Sequence, residues 1–293
     1  MSMRRQSQTA ANEGEIDASA ARLPTIVAVG PPRTGTTWLD SVLRGRLGLP
    51  AEVKETQFFK WNYEKGIEWY AWHFRDCPAG LPIMEICPSY FDFKLARDRI
   101  KKHIPSCKII CTLRDPVERV YSVYRHYSGF AGFKNFEGLL EDAPNLFEAS
   151  DYVTHLREWF TGFGRENVLV VFYEDLERSP QAFLDSICNF IGILSFDVQG
   201  TDAGTKKINA SPRKPRSRRL GLAAGKFRGW LLSHRAHKVV NFWQKTLLWE
   251  LCFAGGEEFG PPSPELERRL REHFRPSVVA LEELLGRDLS AWK

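Results

Sequence analysis

A turn between a short apolar strand and a helix constrains this chain most. Residues 26–29 read Ile-Val-Ala-Val, four residues separate Gly30 from Gly35, and the next segment opens on Thr36 and Thr37. A glycine-containing turn at the start of a helix aims successive backbone N–H groups and the positive end of the helix dipole at one spot. The pattern predicts a loop that binds phosphate or sulfate. The alternative is an ordinary strand-turn-helix whose threonines only cap the helix.

The loop departs from the usual ATP-binding loop at its lysine position. The ATP-binding motif requires Gly-Lys-Ser/Thr, whereas this chain has Gly35-Thr36-Thr37 and carries its basic residue earlier, as Arg33. Without that lysine, the loop is poorly equipped to bridge β- and γ-phosphates with magnesium. Arg33, the backbone N–H groups and the hydroxyls of the loop are instead suited to a single terminal phosphate or sulfate.

These residues carry a family resemblance. The segment Pro-Arg-Thr-Gly-Thr-Thr-Trp-Leu over 32–39 resembles the 5′-phosphosulfate loop of sulfotransferases that use 3′-phosphoadenosine 5′-phosphosulfate (PAPS). The resemblance implies that residues 33–37 bind PAPS and that Arg33 stabilises the transition state without a metal. It also implies an α/β fold with a parallel sheet, helices on both faces, and the architecture of P-loop-containing nucleotide hydrolases.

A second motif follows the apolar segment that ends at Leu113. Asp115 is suited to be the N-cap of a helix, with Pro116 at its first position and Glu118 completing a capping box. The spacing from Arg114 to Ser122 resembles the 3′-phosphate site of the same family. The resemblance implies that Arg114 and Ser122 hold the 3′-phosphate of PAPS. The alternative is a structural salt bridge between Arg114 and Asp115.

The candidate general base lies in the segment 54–59, which reads Lys-Glu-Thr-Gln-Phe-Phe. A Lys-Glu pair before aromatic residues is a candidate for perturbed acid-base chemistry, although a charged strand edge has the same pattern. The segment resembles the one after the first helix in glycan sulfotransferases of the heparan-modifying type. The resemblance implies that Glu55 takes the proton from a hydroxyl or amine of the acceptor. Trp61, Trp69, Tyr70 and Trp72 then form either an acceptor platform or core packing.

A third family segment differs at one position. Residues 85–91 read Glu-Ile-Cys-Pro-Ser-Tyr-Phe and resemble the family's Glu-Lys-x-Pro-x-Tyr-Phe, with Ile86 in place of the lysine. A cation at this point comes from Lys54, from Lys60 or from the later basic segment, or is missing. Small-molecule, glycan and lipid hydroxyl acceptors therefore all stay open, and the motifs give no indication of a nucleic-acid partner or of the oligomeric state.

The remaining strand signals support a parallel sheet. The run 167–173 is apolar without alternation, which is typical of a strand buried on both faces. Its ending Tyr-Glu-Asp-Leu resembles the family, where the tyrosine lies near the adenine, so Tyr173 is a candidate cofactor contact. Strands that begin at Ile26, Lys108 and Val168 and alternate with helices predict right-handed crossovers.

Composition limits the domain organisation. The chain has 293 residues with 43% apolar content, which suits one sulfotransferase domain over 23–293. Residues 1–22 are polar, without a signal-peptide core, and are predicted to be a disordered tail. Six scattered cysteines indicate reduced thiols and, with the missing signal peptide, a cytoplasmic location.

Charge is concentrated late in the chain. The stretch 203–249 holds twelve Lys and Arg residues and no acidic residue, which leaves 29 basic against 36 acidic residues elsewhere. The pattern indicates an anionic ligand or surface, or a solvated basic helix. The family's late basic loop covers the cofactor, so the resemblance implies a lid over 203–260 and makes Lys207 and Arg213 cofactor-binding candidates. The amphipathic residues within 216–252 either contact a membrane, cover an apolar acceptor or pack on the sheet.

Two rival functions remain open at this stage. One is a P-loop kinase that uses ATP and magnesium, which the missing Gly-Lys-Ser/Thr opposes. The other is a non-catalytic nucleotide-binding module. Dependence of nucleotide binding on magnesium distinguishes the first from a sulfotransferase, and turnover that depends on Glu55 distinguishes the second.

Overall fold

The computed structural model describes residues 22–131, 136, 145–201, 217–233, 237–243, 246–247 and 259–293. Two candidate cofactor-binding residues, Lys207 and Arg213, lie outside the described residues. So does the predicted tail apart from Arg22, and so do parts of the predicted lid.

The four strands of the described chain form one parallel sheet. They are β1 (Ile26–Val29), β2 (Met84–Ile86), β3 (Lys108–Leu113) and β4 (Val168–Phe172), in the spatial order β2-β1-β3-β4. Strand β1 pairs with β2 on one side and with β3 on the other, and β4 pairs with β3. The predicted parallel sheet is confirmed. Strand β2 was not predicted, because three residues are too few to show a periodicity.

Helices occupy both faces of the sheet, as predicted. The described α-helices are α1 (Thr36–Leu43), α2 (Ile67–Trp72), α3 (Lys94–His103), α4 (Pro116–Ala131), α5 (Asn145–Glu148), α6 (Tyr152–Phe163), α7 (Tyr173–Arg178), α8 (Pro180–Ile191), α9 (Arg218–Ser233), α10 (His237–Trp243) and α11 (Pro264–Leu285). The predicted bounds of α3, α6 and α8 are confirmed. Helix α1 ends four residues before the predicted Leu47, and α7 was not predicted.

Side chains of β1 alternate between two separate parts of the core. Ile26 and Ala28 pack with α1 and α8, whereas Val27 and Val29 pack on the opposite face, with α3, α6 and α11. Because both faces are covered by helices, every residue of the strand is buried and the strand reads as one apolar run.

The strand order creates a crevice at one edge of the sheet. From β1 the chain goes to β2 on one side of β1, and then to β3 on the other side. Ligands of open α/β sheets bind where the strand order reverses in this way, beyond the carboxyl ends of the strands. The loop that follows β1 and the turn that follows β3 both lie at this point, so the fold brings together the two predicted binding motifs.

Candidate active site

The loop after β1 is fixed to strand β3. Gly30 has φ of 135°, and a Cβ there would lie 2.5 Å from the Thr112 carbonyl oxygen, so the close approach requires glycine. The hydroxyl groups of Thr34 and Thr112 are 2.6 Å apart, and Thr34 also donates to the Pro31 carbonyl at 2.8 Å. Thr34 therefore shapes the loop through its buried side chain, which leaves its backbone N–H as the group that can face a ligand.

Arg33 lies at the centre of the loop in a strained conformation. Its φ is 79°, a value that non-glycine residues rarely adopt. Residues with such strained backbone conformations cluster at functional sites. Its Nε donates to the Ser122 hydroxyl at 3.0 Å, across 89 residues of sequence. The structure thus joins one candidate from the first motif with one from the second. The first turn of α1, with Gly35, Thr36 and Thr37, adjoins this pair and presents N–H groups without intrahelical partners.

The surroundings of Arg33 favour a bound anion. Burial, together with the nearby positive charges of Arg114 and Arg125, lowers the pKa of the Arg33 guanidinium. Within the described parts of the chain, no carboxylate lies at ion-pair distance from Arg33. Three arginines therefore lie around this loop, one of them (Arg114) paired with Glu118, and their charges raise the local positive potential. The arrangement is therefore suited to a phosphate or sulfate group.

Arg114 and Tyr173 form one wall of the site. The Arg114 side chain is 14% exposed, and its guanidinium carbon lies 4.4 Å from the centroid of the Tyr173 ring. The same ring packs on the phosphate loop, since a Cβ at Gly35 would lie 3.2 Å from it. Tyr152 fixes the Arg114 backbone by donating to its carbonyl at 2.8 Å. The two candidates therefore lie together at the loop, on a rigid support.

The turn at Asp115 caps helix α4 but does not form the predicted capping box. One carboxylate oxygen of Asp115 accepts the N–H groups of Val117 at 2.8 Å and Glu118 at 3.2 Å, which confirms the N-cap. The Asp115 N–H goes to Glu174 at 2.9 Å, and Glu118 pairs with Arg114 at 3.2 Å. The other Asp115 oxygen pairs with Arg271 at 3.1 Å, so the alternative of an Arg114–Asp115 salt bridge is not what the fold forms.

The segment that carries Glu55 reaches the start of helix α1. Lys54 Nζ donates to the Thr37 hydroxyl at 3.1 Å and lies 3.5 Å from Glu55 Oε1. Gln57 donates to the other Glu55 oxygen at 2.8 Å and in turn accepts a hydrogen bond from Ser89. Neighbours on both sides therefore orient the Glu55 carboxylate. The Lys54 ammonium group lies between this carboxylate and the start of helix α1.

The two candidate lysines before β2, Lys54 and Lys60, have different surroundings. Ile86 is fully buried in the core, and Lys60 donates to the Ser89 carbonyl at 3.2 Å with its ammonium over the Trp61 ring. Lys54, by contrast, contacts the loop helix directly. Of these two lysines, Lys54 is the one that places its positive charge at the start of the phosphate-loop helix.

The four aromatic residues of the predicted acceptor platform do not share one environment. Tyr70 is fully buried and stacks on Phe58 with centroids 4.6 Å apart, so it belongs to the core. Trp69 is half-buried, whereas Trp72 is exposed and Trp61 is 70% exposed. A platform of all four is therefore wrong, because short helical turns at 58–72 point their side chains in different directions.

Glu85 is a buried carboxylate that sequence reasoning did not single out. It lies in β2 and accepts from Tyr70 at 2.7 Å, from Tyr90 at 3.2 Å, and from both the N–H and the hydroxyl of Thr56. Burial raises its pKa to about 7 despite these hydrogen bonds. Thr56 follows Glu55 directly, so the buried carboxylate anchors the segment of the candidate base. The available signal was an acid inside the apolar run that forms β2.

Arg119 is a second residue that sequence reasoning did not single out. Its fully buried guanidinium donates twice to the Ser150 hydroxyl, at 2.6 and 2.9 Å, and to the Pro32 carbonyl at 3.5 Å. Helix α4 is thereby tied to the phosphate loop on the side of Arg33. The signal in the sequence was an arginine on the helix face that otherwise carries apolar residues.

The described residues show neither a metal-binding cluster nor a membrane-spanning helix. They contain no group of three or more His, Cys, Asp and Glu side chains that could hold a metal ion. They also contain no helix with the length and hydropathy needed to cross a bilayer.

A parallel α/β sheet with a glycine loop and clustered arginines at its switch point defines a P-loop-like fold with a site suited to anionic groups. The family model described as "Sulfotransferase domain" matches residues 23–207. The chain belongs to the sulfotransferase family.

Known relatives and solved structures agree with this assignment. The chain is 30% identical over 200 residues to bifunctional heparan sulfate N-deacetylase/N-sulfotransferase 2 of Bos taurus, covering 60% of the chain and 22% of that protein. It is 29% identical over 303 residues to the corresponding enzyme 1 of Mus musculus, covering 92% of the chain and 31% of that protein. The chain thus spans less than a third of either relative. A sulfotransferase crystal structure from Alicyclobacillus acidocaldarius has the same fold, with a TM-score of 0.64, 19% identity, and coverage of 92% and 99% of the two chains.

Proposed function

We propose that this protein transfers the sulfuryl group of PAPS to a hydroxyl or amine of an acceptor, with Glu55 as general base. One observation carries the proposal. Lys54 lies 3.1 Å from the Thr37 hydroxyl and 3.5 Å from Glu55, which puts a carboxylate next to the start of the phosphate-loop helix. A base must lie within hydrogen-bond reach of the proton that it removes, and this position allows it.

The donors around the loop suit the two anionic ends of PAPS. Arg33 and the N–H groups of residues 34–37 fit the 5′-phosphosulfate, and Arg114 with Ser122 fits the 3′-phosphate. The Ser122 hydroxyl accepts from Arg33 and keeps its own hydrogen free to donate to a phosphate oxygen. Tyr173, stacked on Arg114, offers a ring surface for the adenine. When bound, PAPS supplies a sulfuryl group activated by its phosphate leaving group.

Different residues of this chain carry out proton transfer and charge stabilisation in the proposed reaction. Glu55 accepts the acceptor's proton while the acceptor oxygen or nitrogen bonds to sulfur and the bond from sulfur to the phosphate oxygen breaks. Negative charge grows on that phosphate oxygen and on the sulfuryl oxygens. Arg33, Lys54 and the first N–H groups of α1 stabilise this charge from fixed positions. The products are the sulfated acceptor and 3′-phosphoadenosine 5′-phosphate.

The relatives suggest where to look for the acceptor. Their printed names describe heparan sulfate N-sulfotransferases, so an amine or hydroxyl of a glycan is the first class to test. N-desulfated heparan sulfate supplies free amines, and a simple phenol and a sterol supply hydroxyl controls. Transfer to the glycan alone supports a glycan acceptor, whereas transfer to the phenol or sterol alone places the enzyme among those for small or lipid acceptors.

The proposal is tested by Glu55→Gln, assayed for sulfate transfer and for calorimetric binding of 3′-phosphoadenosine 5′-phosphate. Loss of a general base lowers turnover by roughly 10²-fold or more, while nucleotide affinity stays within a few-fold. The matched control is Glu52→Gln, an exposed acid of the same segment that pairs with Arg75, and it should leave both quantities unchanged. Normal turnover in Glu55→Gln would remove the base from the mechanism. Magnesium-dependent binding of ATP in place of the bisphosphate would favour a kinase.

A further inference from the structure

Exposed apolar side chains concentrate on helices α9 and α10. In the described chain, half of the large hydrophobic residues that are exposed lie within 227–247, and they are 52–77% exposed. They are Phe227 and Trp230 on α9, Val239 and Phe242 on α10, and Leu247, which lies beyond the end of α10. Exposed apolar side chains scattered singly need no explanation, but a contiguous group marks an interaction surface.

The two helices have distinct inner and outer sides. Ala224, Leu231 and Val240 are buried, and α9 packs on α4, the helix that carries Ser122. On the outer side, Phe227 stacks on Trp230 with centroids 6.0 Å apart. The buried residues thus pack the two helices against the domain, while the exposed residues face outward. The amphipathic sequence pattern from 230 to 252 predicts that Val239 and Val240 share one apolar face, which is wrong because Val240 is buried whereas Val239 is exposed.

The positive charge of this region indicates which kind of partner the outer side of α9 and α10 binds. Arg219 and Lys226 are exposed on α9, and the sequence from 203 to 249 contains twelve basic residues and no acid. Aromatic and aliphatic residues combined with lysine and arginine, without acids, are typical of helices that lie on anionic bilayers. A second copy of the same surface would bring basic residues against basic residues, which charge repulsion opposes.

We propose that the surface formed by these exposed residues of α9 and α10, together with Leu247, binds an anionic phospholipid membrane. The apolar side chains enter the boundary between headgroups and acyl chains, and the basic residues contact lipid phosphates. Because α9 packs on α4, the membrane would lie on the side of the domain that carries Ser122. The proposal does not depend on the proposed sulfuryl transfer.

The test is co-sedimentation of the full chain with phosphatidylcholine vesicles, prepared with and without phosphatidylserine. Binding should require phosphatidylserine and weaken as salt rises. Lys226→Gln should weaken it roughly fivefold, as expected for one basic residue near an anionic surface. The double variant Phe242→Ser, Leu247→Ser should weaken it at least about tenfold, since the apolar area that enters the bilayer is lost.

A matched control and a second measurement keep the test decisive. Leu194→Ser removes a side chain that is 92% exposed outside this surface, and it should bind like the parent chain. Thermal unfolding of each variant checks that the fold is intact. Failure to bind either vesicle, or equal binding to both, would overturn the proposal. So would concentration-dependent dimerisation that Phe242→Ser abolishes, because the surface would then bind a second copy.

Discussion

Glu85→Gln replaces an ionisable group in the fully buried cluster beneath the segment of Glu55. The carboxylate of Glu85 accepts from Tyr70, Tyr90 and Thr56, and its pKa is raised to about 7 from an ordinary 4.5 because burial disfavours its charged form. A glutamine has nearly the same shape and stays neutral at every pH. The substitution therefore separates the charge of Glu85 from its packing.

The sign and size of the effect follow from the pKa of Glu85. Between pH 4.5 and pH 7, the folded protein holds a proton that the unfolded chain has released. The stability contributed by Glu85 is thus fully present below pH 4.5 and is lost as the pH rises through 7. One pKa unit corresponds to about 1.4 kcal/mol, so the total loss is about 3 kcal/mol, and most of it falls between about pH 5 and about pH 8.

The assay is urea unfolding of both proteins at the two pH values, followed by tryptophan fluorescence. The free energy of unfolding of the parent chain minus that of Glu85→Gln should fall by about 2–3 kcal/mol from pH 5 to pH 8. Groups that titrate in both proteins cancel in this difference. Glu272→Gln, at an exposed helix position, should show no such pH dependence. A difference for Glu85→Gln that stays constant with pH would refute the argument that Glu85 is neutral in the fold near pH 5.

Three further substitutions test the site. Arg114→Ala should weaken binding of 3′-phosphoadenosine 5′-phosphate far more than binding of its 3′-dephosphorylated analogue, by calorimetry; equal losses would exclude the 3′-phosphate contact. Gly30→Ala should destabilise the fold by roughly 1–3 kcal/mol, because the added Cβ would lie 2.5 Å from Thr112. The control is Gly45→Ala, which also has a positive φ but open space around the Cβ, so its loss of stability reports the backbone strain alone. Equal losses in the two variants would exclude the clash with Thr112. Lys54→Gln should lower turnover by roughly 10²-fold while Lys60→Gln leaves it near normal, and the reverse order would assign the cationic role to Lys60.

The sequence by itself determined the local parts of this protein. An apolar run followed by glycines and threonines specifies a strand, a turn and a helix start through contacts within a few residues. Asp115 and Pro116 specify a helix N-terminus in the same local way. The parallel sheet, the bounds of α3, α6 and α8, and the sulfotransferase family all followed from such segments. Even the departures were visible locally, such as Ile86 at the family's lysine position.

Only the tertiary structure decided which of these parts meet. Arg33 and Ser122 are 89 residues apart in the chain, yet they share a hydrogen bond because β1 and β3 are neighbours in the sheet. The different contacts of Lys54 and Lys60 depended in the same way on the path of an irregular segment, for which no periodicity exists. Glu85 shows the physical reason most clearly. A carboxylate becomes a buried anchor with a raised pKa only when a fold removes its water and supplies hydroxyl partners from distant segments, and no local pattern encodes those partners.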